Sequence, residues 1–71
     1  MNKSRTYSNS RIIENTQWGK IKVCQPSDPS DKLSEVFTVN DKGEENFLSF
    51  YDGKIDDNPD KIIAYIEMKM F

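Results

Sequence analysis

The sequence predicts a small α+β fold: an antiparallel β-meander of three to four strands with one C-terminal helix packed on one face. Three observations predict it. Short β-prone runs recur at close spacing, an Asn-Asp-Lys-Gly turn joins two of them, and an Asn-Pro-Asp step opens an amphipathic stretch near the end of the chain.

Residues 1–10 carry one aromatic, two basic residues and otherwise small polar groups, with neither helical nor strand periodicity. They are expected to be a flexible N-terminal arm, leaving residues 11–71 as a single domain. Strand signals follow at 11–14 and 18–24, with Asn15, Thr16 and Gln17 available to turn the chain. In the second run Ile21 and Val23 alternate with Lys20 and Lys22, the period-2 pattern of a strand with one apolar and one basic face.

Residues 25–32 (QPSDPSDK) contain two prolines and two Ser-Asp steps and are expected to form a surface loop, because proline brings no donor to a strand ladder. Two further β-prone runs flank Asn40-Asp41-Lys42-Gly43. Asn at the first position and Gly at the fourth suit a type I turn closed by a left-handed glycine. With Asn40 opposite Glu44, an uninterrupted register sets Phe37 opposite Phe47, Val36 opposite Leu48 and Leu33 opposite Tyr51. One face would then carry Leu33, Phe37, Val39, Phe47 and Tyr51, and the other Val36, Leu48 and Phe50.

Asp52-Gly53 ends the last run. Beyond it Asn58 suits a helix cap, Pro59 the first helical position and Asp60 the first turn, where the helix dipole favours an anion. The helix would reach about Met70, with Ile62, Ile63, Ile66 and Met70 on the face laid against the sheet. The alternation of Ile66, Met68 and Met70 with Glu67 and Lys69 also fits a final strand; the Asn-Pro-Asp start favours helix.

Seventy-one residues hold one hydrophobic core and leave little packing to give up for a deep cleft, so function is expected on a face. Ten basic residues against twelve acidic ones give a net charge of −2 with the signs interleaved, which argues against both a polyanion binder and an acidic mimic of nucleic acid. Cys24 is the only cysteine, so no intrachain disulfide can form. That fits a reducing, cytoplasmic setting. No run has the length or apolarity of a signal peptide or a membrane span, and a chain that starts with Met and carries no linker scar reads as a complete small product.

The chain has no histidine, which removes the commonest general base and the usual Ser-His and Cys-His pairs. No catalytic residue, cofactor site or metal site is therefore expected. Cys24 shares a strand face with Lys20 and Lys22, which would depress its thiol pKa if it were exposed; the simpler reading is a small buried residue near a strand end. Asp56, Asn58, Asp60, Ile63 and Glu67 fall at positions 1, 3, 5, 8 and 12 of a calcium-loop pattern. Lys61 stands where that loop needs glycine, however, and too few residues follow Glu67 for an exiting helix. The carboxylate pairs Glu44-Glu45, Asp56-Asp57 and Asp28/Asp31 fall in turns or loops, where solvent would keep them near their ordinary pKa. Gly19, Gly43 and Gly53 are isolated, and none opens a helix as a phosphate loop would.

A four-stranded sheet has two faces and a single short helix covers one. The residues expected to lie on the uncovered face are Val36, Leu48 and Phe50, with Lys20 and Lys22 beside them and Trp18 able to join either face. This is an aromatic centre with a charged rim. The expected function is a small non-enzymatic protein-binding module, inhibitory or modulatory, acting stoichiometrically on a larger protein or on its own copy in a homodimer. Its size and character fit a phage- or mobile-element-encoded product, a viral protein included. The alternative is a small nucleic-acid-binding module using the basic arm (Lys3, Arg5, Arg11) and the Lys20/Lys22 strand, with Tyr7 and Trp18 as stacking groups.

Overall fold

A computed structural model describes residues 7–28, 30 and 32–70. Strands β1 (Tyr7–Thr16), β2 (Gly19–Pro26), β3 (Ser34–Val39) and β4 (Glu45–Tyr51) form one antiparallel sheet in sequence order, and helix α1 (Pro59–Met70) follows. The fold class is the expected meander with one C-terminal helix, and residues 59–70 are helix, not a fifth strand.

The β3–β4 turn is built as its residue types dictate. Gly43 N–H donates to the Asn40 carbonyl at 2.9 Å, and Gly43 takes φ +82°. Such a φ is open to glycine at no steric cost. Asn40 Oδ1 accepts from the backbone N–H of both Lys42 and Glu44, each at 2.9 Å.

From that turn the register runs as expected for three pairs, Val39 with Glu45, Thr38 with Asn46 and Phe37 with Phe47. It then slips by one residue between Phe37 and Val36. Val36 pairs with Ser49 instead of Leu48, and Tyr51 lies opposite Ser34 instead of Leu33. This bulge exchanges faces beyond it. The expected face assignment is thereby corrected: Tyr51 moves to the face of Val36, and Phe50 joins Phe37 and Phe47 on the other.

β1 begins at Tyr7, four residues inside the stretch expected to be an arm. Main-chain pairing with β2 orders Ser8, Asn9 and Ser10 without any apolar alternation, since all three are exposed. The expected turn also moves. Gln17 and Trp18 make it, after Asn15 enters the left-handed region at φ +63° and the register shifts by one. Gln25 and Pro26 belong to β2, not to the loop; Pro26 lies past Cys24–Glu35, the final β2–β3 pair, so its missing donor interrupts nothing on that side.

Two rows of paired residues, Ile13–Ile21–Thr38–Asn46 and Arg11–Val23–Val36–Ser49, face the helix. Ile21, Val23, Val36, Tyr51, Ile62 and Ile66 are fully buried there, with Trp18, Leu48, Ile55 and Tyr65 packed around them. Asn58 Oδ1 caps the helix by accepting from Asp60 N–H at 2.8 Å. Ile62 and Ile66 hold the sheet-facing stripe as expected. Met70 does not, being 48% exposed, and Tyr65 takes a place at the edge of the core through an edge-on ring contact with Tyr51.

The connection from β4 to α1 is fastened from two sides. The Arg11 guanidinium donates to the carbonyls of Ile55 and Asp57 at 2.9 and 2.6 Å. Tyr51 O–H donates to Asp57 Oδ2 at 2.6 Å, and the same oxygen accepts from Lys54 N–H at 3.0 Å. Gly53 lies so close to the Tyr51 ring that a Cβ there would stand 2.6 Å from it. Asp57 is therefore no solvated loop carboxylate. The Tyr51 hydroxyl and Lys54 N–H hold it below its ordinary pKa, while burial, with Asp57 adding to it, pushes the Tyr51 hydroxyl up to about 12.

Candidate functional site: the open sheet face

The face turned away from the helix carries three rows of paired residues: Lys20–Val39–Glu45, Ile12–Lys22–Phe37–Phe47 and Ser10–Cys24–Glu35–Phe50. Alternation within the strands puts these residues together, and the β4 bulge brings Phe50 back to the face that Phe47 occupies. The result is a ladder of three phenylalanines. Phe47 meets Phe37 edge-on with ring centroids 5.9 Å apart, and meets Phe50 with centroids 5.1 Å apart.

The two ends of this face differ in cover. Towards Phe50, Cys24 and Glu35 are buried, and Tyr7 lies across the sheet with its hydroxyl donating to Glu35 Oε1 at 2.8 Å. Towards Phe47 nothing comparable is described, and Ile12 and Phe47 are 46% and 54% exposed; Phe50, at the β4 edge of the other end, is itself 45% exposed. Residues 1–6, the remainder of the expected arm, including Lys3 and Arg5, lie outside the described residues.

Charge on this face is balanced. Lys22 Nζ donates to Glu45 Oε2 at 3.0 Å, a bond that holds the ammonium above its ordinary pKa. Lys20 is exposed at the rim. The Cys24 thiol is pushed up by burial, which outweighs the opposing pull of Lys22, so the lysine-activated thiol foreseen for an exposed cysteine does not arise.

Of the six residues expected in the patch, Phe50, Lys20 and Lys22 lie on this face. Val36 and Leu48 do not: Val36 is fully buried beneath the helix, and Leu48 packs against the same core. Trp18 belongs to the β1–β2 turn and packs at the core's edge. In their place stand Phe37 and Phe47, which an unbulged register assigns to the helix side, and Ile12. No residue type announces this: unbroken alternation divides 47, 48, 50 and 51 into Phe47 with Tyr51 and Leu48 with Phe50, whereas the extra residue in β4 divides them into Phe47 with Phe50 and Leu48 with Tyr51.

The calcium-loop residues are not arranged around a common point. Asn58 Oδ1 is spent on the helix cap, and Asp60, Ile63 and Glu67 follow along α1. Among the described residues no group of three or more His, Cys, Asp or Glu side chains is placed to hold a metal ion, and no helix is long and apolar enough to cross a membrane. Asp31, part of one carboxylate pair, lies outside the described residues. No protein-family model, curated protein or solved structure matches this chain.

Proposed function

We propose that the chain is a small non-enzymatic binding module that docks onto a larger protein through the open sheet face. Phe37, Phe47 and Phe50 would form the centre, Ile12 and Val39 its apolar margin, and Lys20 and the Lys22–Glu45 pair its rim. One observation carries the reading: Phe47 and Phe50, in edge-on contact with each other, are 54% and 45% exposed in a chain of only 71 residues. Burying a phenylalanine side chain fully contributes roughly 1.5–3 kcal/mol, so leaving two half in water forgoes on the order of 2 kcal/mol. A domain of this size has roughly 4–10 kcal/mol of stability in all. A forfeit on that scale is explained if the rings are buried in a complex, where aromatic side chains commonly act as anchors.

The charge pattern favours a protein over a nucleic acid. Lys20 and Lys22 share the face with Glu35 and Glu45, and Lys22 is already paired, so little cationic charge remains to gather phosphates. Modulation or inhibition of the partner by stoichiometric occupancy is the mode such a face serves.

The test compares the wild-type chain with a Phe47→Ser/Phe50→Ser variant as bait in lysate from its natural host. A partner retained by the wild type and lost by an equally folded variant is the expected result. Identical retention by both would remove the face from consideration. Sedimentation of the wild type across a concentration series identifies a second copy as the occupant if the mass doubles and the variant stays monomeric. Salt-sensitive binding of a labelled single-stranded oligonucleotide would favour the nucleic-acid reading instead.

A further inference from the structure

Where the phenylalanine ladder reaches the outer edge of β4, the surface turns into a groove of about 290 Å³ lined by Leu33, Ser49, Phe50, Tyr65 and Lys69. Phe50 belongs to both features, so groove and ladder form one continuous surface. The groove wall is built by three separate elements: Leu33 leads into β3, Ser49 and Phe50 lie on β4, and Tyr65 and Lys69 belong to the second half of α1. Its volume is near the lower end for ligand pockets, room for an amino-acid side chain and little more.

Lys69 gives the groove a sign. Its Nζ stands 5.5 Å over the Tyr65 ring, and among the described residues no carboxylate pairs with it. The ring orients the ammonium without neutralising it. An apolar hollow with one oriented cation at its edge complements an apolar side chain with a carboxylate beside it. A neutral apolar ligand would leave the cation uncompensated at the boundary of a desolvated contact, and a basic one would be repelled.

We propose that this groove receives an anchor segment of the partner protein: one large aliphatic or aromatic side chain seated among Leu33, Phe50 and Tyr65, with an Asp or Glu within two residues of it paired to Lys69. The inference rests on the open face being a protein-binding surface and specifies the chemistry of what binds there.

The probe is a random twelve-residue peptide library displayed on phage, selected on the immobilised full-length chain. Enriched peptides are synthesised with a fluorescent label and their affinity is measured by anisotropy. The expected result is enrichment of a large apolar residue within two positions of Asp or Glu. Binding should fall at least about five-fold in Lys69→Glu and recover when the peptide's acidic residue is replaced by Lys. Leu33→Ser should weaken the same peptides, and circular dichroism checks that each variant is folded. Absence of such enrichment, or equal binding by wild type and Lys69→Glu, overturns the inference. The two readings fail separately. Peptides that depend on Phe37 and Phe47 but ignore Leu33 and Lys69 overturn the groove and leave the open face standing, while peptides indifferent to all four positions remove both.

Discussion

Replacing Tyr51 by Phe removes one oxygen from the centre of the fold and leaves its shape alone. The ring is fully buried, and its hydroxyl donates to Asp57 Oδ2 at 2.6 Å. A hydrogen bond to a charged acceptor contributes about 1.5–3 kcal/mol. Asp57 keeps its bond from Lys54 N–H and some access to solvent, so the lower end applies, about 1.5 kcal/mol at neutral pH. For a domain of this size that is a fall in Tm of roughly 6–12 °C.

The dependence on pH makes the prediction specific. Asp57 is held below its ordinary pKa by the Tyr51 hydroxyl first and Lys54 N–H second. Its contribution is therefore present above the unfolded carboxylate value of about 3.9 and is lost as pH falls through the folded value. Tyr51 is raised from 10.0 to about 12, so its contribution is complete below pH 10 and is lost as pH climbs from there through the folded value. The stability gap between wild type and Tyr51→Phe should thus be widest between about pH 5 and 9 and narrow at both extremes. Urea unfolding followed by the fluorescence of Trp18, at a series of pH values, measures it. A gap below about 0.5 kcal/mol at pH 7, or one of constant size across the whole range, would refute the coupling of Tyr51 to Asp57.

Gly53→Ala should destabilise by about 1–3 kcal/mol, because the new Cβ would stand 2.6 Å from the Tyr51 ring; an unchanged thermal midpoint would contradict that approach. Arg11→Met keeps the stem but withdraws two donors from the carbonyls of Ile55 and Asp57, with an expected cost of about 1.5–3 kcal/mol in the same urea assay. Native Cys24, being buried, should react with a disulfide reagent more slowly than the urea-unfolded chain by roughly two orders of magnitude or more, and comparable rates would mean the thiol is open to solvent. Phe47→Ser should change stability by no more than about 1 kcal/mol, whereas Val36→Ser should cost about 3 kcal/mol or more; equal costs would show that the two positions do not lie on opposite sides of the sheet.

Those elements whose local chemistry is self-sufficient were legible in the residues. The Asn40–Gly43 turn closes on its own side chains, and the Asn58 cap bonds a donor two residues away, so neither depends on the rest of the chain. The same holds for Ile21 and Val23, whose alternation with lysines places them inward whatever packs above. Strand β1 was legible only in its middle. Ser8, Asn9 and Ser10 are ordered by pairing with β2, and main-chain hydrogen bonds leave no mark on side-chain type. Arg11 belongs to the same class, since its acceptors are carbonyls more than forty residues along the chain.

The candidate site depended on one residue more than the turn did. A bulge inserts a single position into β4, and every side chain past it changes sides, so a correct hairpin still yields an incorrect patch. The physical reason for the bulge lies in what the two faces need. An unbroken alternation from Phe47 would send Phe47 and Tyr51 to one side and Leu48 and Phe50 to the other, so that with Phe47 on the open face Tyr51 would leave the core and Phe50 would leave the ladder. With the extra residue, Tyr51 reaches Asp57 and Gly53 under the helix while Phe50 stays with Phe47 in solvent. The residue that locks the β4–α1 connection and the residue offered to a partner are thus neighbours in sequence, separated by the thickness of the sheet.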